Sequence, residues 1–553
     1  MSQLTLLATT DVHGNALNWD YYRDRPWQPP DGEELGLAQA ATIIQRIRAE
    51  RGPERVLLVD NGDTLQGTPL ATFYARQEPI TDTGVRHPLA AAFNAMGYDA
   101  CNIGNHEFNY GLNLLQVFEE QLEMPLLGAN ILDPHSRKPL FQPFTLVRRV
   151  IDGRELIVGI VGLTTPGSMV WDRAHLEGQA DIIDMVASAA YWVPQVRELG
   201  ADVVVVLSHA GLGQTTYATT VEAPSENPAR EIAQQVPGID VMVIGHTHRD
   251  APEQWITCES TGQSVLLTQP RALAAGLTET TIDVEPNGEG WSVSVQGAIP
   301  LPVAGQEPLT QVVDAVTQAH EKTRSYVNQQ VAVSERELST AESCWRATGA
   351  IEFIQQVQAA TVAEALADGE YAGLPVVSLT APTSRTAAIP EGTVSIRDLA
   401  GIYVFDNTLA AVLLTGAQLR AHLEHAARYY ADLPPGVAFD PATMTGAERD
   451  GLTVWDYQYD IAWGVSYEID LTRPVGHRIR NLSHPDGSPV RDDERFAVAL
   501  NHYRRSGAGD YPDVSTAPVL YNDMVEIRQL LIDWALERGV AVPGTENWRI
   551  VTK

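Results

Sequence analysis

The sequence predicts a layered α/β domain over about the first 300 residues, followed by a mixed α+β domain that runs to the C-terminus. Three observations carry this reading. Runs rich in Val, Ile and Leu recur through the first part without polar alternation, as strands buried on both faces do. Segments with helical periodicity separate those runs. Beyond about residue 300 the pattern changes to helices and short strands mixed with many aromatic residues.

The elements follow in order. A first strand starts almost at Met1 and ends in "LATTDVHGN". "LAQAATIIQRIRAER" (37–51) reads as a helix. "RVLLVDNGD" (55–63), "ELIVGIVGL" (155–163), "ADVVVVLSHAG" (201–211) and "IDVMVIGHTH" (239–248) are the doubly buried strands. Residues 281–305 read as strand with a Pro/Gly-rich turn. "LTQVVDAVTQAHEKTRSYVN" (309–328) is built from good helix formers and is expected to be a connecting helix. A helix over 351–368, a strand in "GVSYEIDLT" (464–472) and a long surface loop over 429–451 are expected in the second domain.

Bulk properties restrict the function. At 553 residues the chain is too long for one core. Hydrophobic residues make up 44% and charged residues 20%, as in an ordinary soluble protein. A net charge of −32 repels nucleic-acid polymers and anionic membranes, so the expected partner is a small molecule. Cys101, Cys258 and Cys344 lie far apart and read as buried thiols rather than a disulfide framework. No apolar run reaches the roughly 20 residues of a membrane helix. The N-terminus shows no basic region followed by an apolar core, so a cytoplasmic location is expected, with a periplasmic or extracellular one as the alternative if a leader was removed.

The informative residues fall at strand ends. Asp11 and His13 end the first strand, Asp63 follows the second, and "CNIGNHEFNYG" places Asn105, His106 and Glu107 after another short apolar segment. His209 follows "VVVVLS", and His246 and His248 follow "VMVIG". The carboxyl ends of strands in α/β sheets line one crevice, so these groups can converge. Asp, His and Asn donors without Cys suit two divalent ions, with Mn, Zn, Co, Fe and Mg all acceptable. Seven ligands are too many for one open site, and they fit two metals with Asp63 as the bridge. Two divalent ions bring +4 and the two aspartates return −2, which leaves a positive site suited to a phosphate ester.

In these motifs the chain resembles the calcineurin-like metallophosphoesterases of the 5′-nucleotidase family: "DVH", "NGDTLQG", "GNHE", "SHAG" and "GHTH" occur in the family's order. The resemblance implies an N-terminal four-layer α/β/β/α metallophosphoesterase domain (1–306), a connecting helix (307–329) and a C-terminal α+β nucleotide-binding domain (330–553). It implies that Asp11, His13, Asp63 and His248 bind one metal and that Asp63, Asn105, His209 and His246 bind the other. His106 then faces the phosphoryl group and stabilises developing charge, while metal-bound hydroxide attacks. Many relatives carry Asp where Asn109 stands here, and an amide orients His106 without supplying a carboxylate's charge. "GNHEFNYG", "NHYRRSGAG" and "YDIAWGVSYEIDLTRP" resemble the branch of 2′,3′-cyclic-nucleotide 2′-phosphodiesterase/3′-nucleotidases. That activity is the expectation. A 5′-nucleotidase or UDP-sugar hydrolase is the alternative, and a non-catalytic nucleotide-binding protein a third reading.

A nucleotide base needs a holder, and stacked aromatic rings contribute about 1–3 kcal/mol per base. The resemblance implies a clamp of Phe405 and Tyr503, with Asn407 and Asp510 near the base or ribose. Asp456 and Arg385 are further candidates for substrate contact. It also implies that substrate is carried between the domains by a rotation.

Overall fold

The apolar runs of the first 300 residues form two six-stranded sheets. In the first, the order is Gly290–Pro302, Gly276–Asn287, Ser2–Thr9, Val56–Asp60, Ala100–Asn102 and Leu126–Leu127. In the second it is Ala251–Thr257, Ser264–Gln269, Val241–Ile244, Val203–His209, Arg154–Thr164 and Phe144–Ile151. The computed structural model describes residues 2–29, 32–213, 215, 217, 219–221, 224–288, 290–405, 407–434, 436–449, 452–523 and 525–552. The chain divides into two units, Met1–Ser325 and Tyr326–Lys553.

Strand periodicity explains the layering of the first unit. Val203, Val205 and Leu207 point to one side, where they meet Leu4, Leu6, Leu57 and Val59 of the other sheet. Val204 and Val206 point to the opposite side, against Met185, Ala189 and Val193 of the helix Met185–Glu198 and Ile232 of Ala229–Gln235. Both faces of Val203–His209 are therefore buried, which is why the sequence shows no polar alternation there. The helix Leu37–Arg51 lies against Val56–Asp60 on the outside of the first sheet and buries Ile43, Ile44 and Ile47. The result is helices, sheet, sheet, helices. Residues 281–305, expected as one strand and a turn, belong to two long antiparallel strands, Gly276–Asn287 and Gly290–Pro302.

Parallel pairing sets the direction of the site. Ser2–Thr9, Val56–Asp60 and Ala100–Asn102 run parallel in one sheet, and Val203–His209 and Val241–Ile244 run parallel in the other. Within each sheet the C-terminal ends lie together. Asn61 joins the sheets there: its side-chain amide donates to the Ser208 carbonyl (3.2 Å) and its oxygen accepts from Asn102 (3.1 Å).

The helix Thr310–Val327 follows. The second unit is built on a five-stranded sheet in the order Ile461–Trp463, Val376–Thr380, Arg495–Asn501, Leu409–Thr415 and Val519–Tyr521. The helix Gly349–Ala365 packs on it. A buried ionic group sits in this unit: Arg504 donates to both carboxylate oxygens of Asp460 (2.8 and 2.9 Å), and His422 bonds the same carboxylate at 2.8 Å. Residues 429–451 are not the plain surface loop expected. Tyr429 and Tyr430 are buried, and Tyr430 donates to the Cys344 carbonyl (2.7 Å). A short helix, Pro441–Met444, follows; positions 435, 450 and 451 lie outside the described residues. The three cysteines are free and buried. Among the described residues no helix is long and apolar enough to cross a membrane.

Candidate metal centre

The loops that follow the strands are stitched to one another. The amide of Asp11 donates to the Gly62 carbonyl, His13 to Asp63 and Gly14 to Thr64, at 2.8, 2.8 and 3.0 Å. A Cβ on Gly62 would collide with the backbone of Gly104, and one on Gly104 with the Asp63 carboxylate. That close approach is what the two glycines permit. Glu107 staples the loop of Asp63: its buried carboxylate accepts from the amides of Asp63 (2.8 Å), Thr64 (2.5 Å), Leu65 (3.1 Å) and Gly104 (2.7 Å). Burial and the nearby Asp63 charge push this carboxyl up, and those amides pull against the shift.

The ligand residues themselves carry the turns. Asp11, His13, Asp63, His246 and His248 have φ of 51°, 48°, 61°, 69° and 51°. That is the left-handed region, which costs an L-residue about 1–2 kcal/mol. Strain of this kind persists where surrounding structure imposes it, and it clusters at working sites.

Two groups of side chains result. Asp11, His13 and His248 form one, and Asp63, His209 and His246 the other; within each the donor atoms lie within 4.8 Å of one another. Hydrogen bonds decide which imidazole atom faces inward. Nδ1 of His13 donates to the Gln66 carbonyl (2.9 Å) and Nδ1 of His209 to the Asn61 carbonyl (2.6 Å), which leaves Nε2 of each as the ligand atom. His246 is turned the other way. Its Nε2 meets the Glu226 carboxylate at 2.9 Å, and its Nδ1 faces Oδ1 of Asn105 at 2.8 Å. Asn105 thereby joins the second group.

The atoms aim at shared centres rather than at each other. Nε2 of His13 and Nε2 of His248 stand 3.0 Å apart, so both nitrogens face one point that a proton or a cation can share. Nε2 of buried His209 makes no hydrogen bond, although Oδ2 of Asp63 is 3.0 Å away. Oδ1 of Asp11 lies 3.4 Å from His248 and 3.9 Å from His209, and Oδ2 of Asp63 lies 3.9 Å from His13. Each carboxylate thus reaches toward both groups. Burial raises both aspartates' pKa, but the surrounding imidazoles win and hold them below the usual range. Burial lowers His209, but Asp63 overrides it and holds the ring up at about 10; burial brings His13 down to about 4. The donor set fits two divalent cations.

His106 is half-buried beside this set, its ring edge-on to His13 at 5.2 Å. Its amide donates to Asp63 (2.8 Å), and its Nδ1 donates to Oδ1 of Asn109 (2.7 Å). Asn109 in turn donates through Nδ2 to Oδ1 of buried Asp172 (2.8 Å). Sequence reasoning missed Asp172 and Glu226. Neither has a signal in the chain: both sit in irregular or short-helical stretches, distant in sequence from the residues they hold.

The candidates of the second unit are more dispersed. Phe405 is 37% exposed and meets Tyr457 edge-on at 6.0 Å. Tyr503 lies on the four-residue helix His502–Arg505, half-buried. Asn407 donates weakly to the Tyr403 hydroxyl (3.5 Å), and exposed Asp510 turns the chain at φ 54°. Arg385 and Asp456 are brought together, but with each other: Nη2 donates to Oδ1 at 2.6 Å, and the Tyr429 hydroxyl donates to the same oxygen at 2.6 Å.

The calcineurin-like phosphoesterase family matches residues 4–250, and the 5′-nucleotidase C-terminal domain matches residues 327–516. The 2′,3′-cyclic-nucleotide 2′-phosphodiesterase/3′-nucleotidase of Haemophilus influenzae is 30% identical over 600 residues, covering 99% of this chain and 87% of that protein. This chain is a calcineurin-like metallophosphoesterase of the 5′-nucleotidase/2′,3′-cyclic-nucleotide phosphodiesterase family. Its chemistry is metal-dependent hydrolysis of nucleotide phosphoesters at a dinuclear centre. The trifunctional nucleotide phosphoesterase YfkN of Bacillus subtilis is also 30% identical over 99% of this chain, which spans 39% of that protein's length. A Staphylococcus aureus structure described as a 5′-nucleotidase in complex with alpha-ketoglutarate shares the fold, with a TM-score of 0.78, 23% identity and coverage of 99% and 100% of the two chains. The cytoplasmic location expected from the sequence is corrected by the chain's relatives. Those relatives are typically secreted or periplasmic, which favours the alternative; among them a snake venom 5′-nucleotidase of Naja atra is 31% identical over 44% of this chain.

Proposed function

We propose that the protein opens 2′,3′-cyclic nucleotides and removes 3′-phosphates, and that it also accepts 5′-nucleotides. The carrying observation is the pair of converging ligand groups in a chain that matches a cyclic phosphodiesterase/3′-nucleotidase end to end. The 5′ activity rests on the matched C-terminal family and on the fold shared with a protein described as a 5′-nucleotidase.

In this reading Asp11, His13, Asp63 and His248 hold one divalent ion. Asp63, Asn105, His209 and His246 hold the other. When bound, the ions polarise the phosphoryl oxygens and supply a nucleophile at neutral pH. His13 and His209 keep Nε2 inward because their Nδ1 protons are committed to backbone carbonyls. Glu226 holds His246, and Glu107 holds the loop of Asp63. His106 presents Nε2 to the phosphoryl group and stabilises charge that develops there. In the second unit, Phe405 and Tyr503 stack on the base, and Asn407 and Asp510 approach base or ribose. Asp456 and Arg385 serve as a buttress of that region, since each engages the other. Stacking reads the π-face, so purines and pyrimidines both bind.

The experiment is hydrolysis of 2′,3′-cAMP, 3′-AMP, 5′-AMP and UDP-glucose with added Mn²⁺ or Co²⁺. Turnover of the first three is expected. Turnover of 5′-AMP alone would remove the cyclic and 3′ activities. Nucleotide binding without hydrolysis would leave a binding protein.

A further inference from the structure

We propose that Asp172 is a positioning residue: through Asn109 it sets which nitrogen of His106 faces the reacting phosphoryl group. The inference rests on the role of His106 given above.

An asparagine side chain has an acceptor end and a donor end, and it can turn either toward an imidazole. If Oδ1 of Asn109 faces His106, Nδ1 of the ring must carry the proton and Nε2 is left for the substrate. If Nδ2 faced it, Nδ1 would be the acceptor and the ring would hold its proton on Nε2 instead. His106 and Asn109 alone do not choose between these.

Asp172 makes the choice. Its Oδ1 accepts from the Nδ2 end of Asn109 and holds that end toward itself, at 2.8 Å. Oδ1 is then turned to Nδ1 of His106, at 2.7 Å. The order is fixed end to end: His106 Nδ1–H to Asn109 Oδ1, and Asn109 Nδ2–H to Asp172 Oδ1. Asp172 is 3% exposed, so water does not compete for its oxygens. Burial pushes its carboxyl up to about 7 while the Asn109 hydrogen bond draws it down.

The placement of Asp172 is itself constrained. Its neighbour Trp171 stacks on His246 at 5.3 Å, with the rings 26° from parallel. One two-residue step therefore supports both a metal-facing imidazole and the His106 relay.

The test uses zinc-loaded, full-length protein labelled with ¹⁵N-histidine, with the His106 signals identified by their loss in His106→Ala. In the parent the proton is expected on Nδ1. In Asp172→Ala a fraction with the proton on Nε2 should appear. That variant should also lose about tenfold in kcat on nucleotides, with KM and metal content held, as losses of outer hydrogen-bond partners typically do. Asn109→Asp in the Asp172→Ala background returns an acceptor-only group to His106 and should restore most of the kcat. Asp172→Asn keeps the side-chain volume and should show the same tautomer mixture, so a folding failure of the alanine variant does not remove the test. Parental tautomer and parental kcat in either Asp172 variant overturn the proposal. So does a lost kcat that Asn109→Asp does not restore while both metals remain. Should the parent hydrolyse no nucleotide, the functional reading falls, and the tautomer measurement still judges Asp172.

Discussion

Glu107→Gln isolates the staple that holds the ligand loop. The carboxylate accepts four backbone amides, two on each oxygen: Thr64 and Leu65 on one, Asp63 and Gly104 on the other. Glutamine keeps one acceptor oxygen and replaces the other with an amino group. Two amides are satisfied as before, and two are left facing a donor in a buried site. A hydrogen bond to a charged acceptor contributes about 1.5–3 kcal/mol net, so the variant loses about 3–6 kcal/mol locally. Part of that loss appears in global stability and part in the freedom of the loop that carries Asp63, because either orientation of the glutamine releases at least one amide of residues 63–65. If a third of it reaches Asp63, metal affinity falls by about tenfold, since each 1.4 kcal/mol is tenfold. The assays are metal stoichiometry after dialysis, affinity by competition with a chelator, and thermal melting. Two tightly held ions and an unchanged melting temperature in Glu107→Gln would refute the staple.

Three further outcomes follow from the same physics. Thorough chelation should abolish hydrolysis and added Mn²⁺ or Co²⁺ restore it, and Asp63→Ala should retain neither ion by elemental analysis, because that carboxylate reaches toward both groups. Tyr503→Ala should raise KM for nucleotides by roughly 5- to 150-fold, the equivalent of about 1–3 kcal/mol of stacking, and leave hydrolysis of a nitrophenyl phosphate ester nearly unchanged; equal impairment on both substrates would count against the clamp. Asp460→Asn leaves Arg504, 1% exposed, without its counter-charge, and should cost about 3–5 kcal/mol in urea unfolding. Burial works to raise Asp460, but Arg504 and His422 hold it below the ordinary value. The parent's extra stability is therefore present above about pH 4 and lost as pH falls, so the difference between parent and variant should shrink in acid.

What the sequence made legible was whatever repeats or alternates. The run "ADVVVVLSHA" announces a doubly buried strand because both its odd and even positions must be apolar, and His209 stands out at its end. The seven candidate ligands stood out because each follows such a run, and six of them fall into the two converging groups. Their partners could not. Glu226 reaches His246 from an irregular loop, and Asp172 reaches Asn109 from the joint between two short helices. A hydrogen bond between residues 20 or 63 positions apart leaves no periodic trace. Glu107 was visible in its motif, but its position two residues after Asn105 gave no hint that its oxygens point at backbone rather than metal. The interior of 429–451 was hidden for another reason: Pro, Gly and Asp mark turns, and nothing in that composition shows that Tyr429 and Tyr430 anchor its start in a core.

The left-handed backbone at five ligand positions has an evolutionary edge to it. Glycine fits such angles without penalty, so a chain that exchanged Asp11, His13, Asp63, His246 and His248 for glycine would relax at each place by about 1 kcal/mol. It would be unstrained at these turns and inert. Relief of backbone strain thus runs directly against keeping the ions, because the same five side chains carry both.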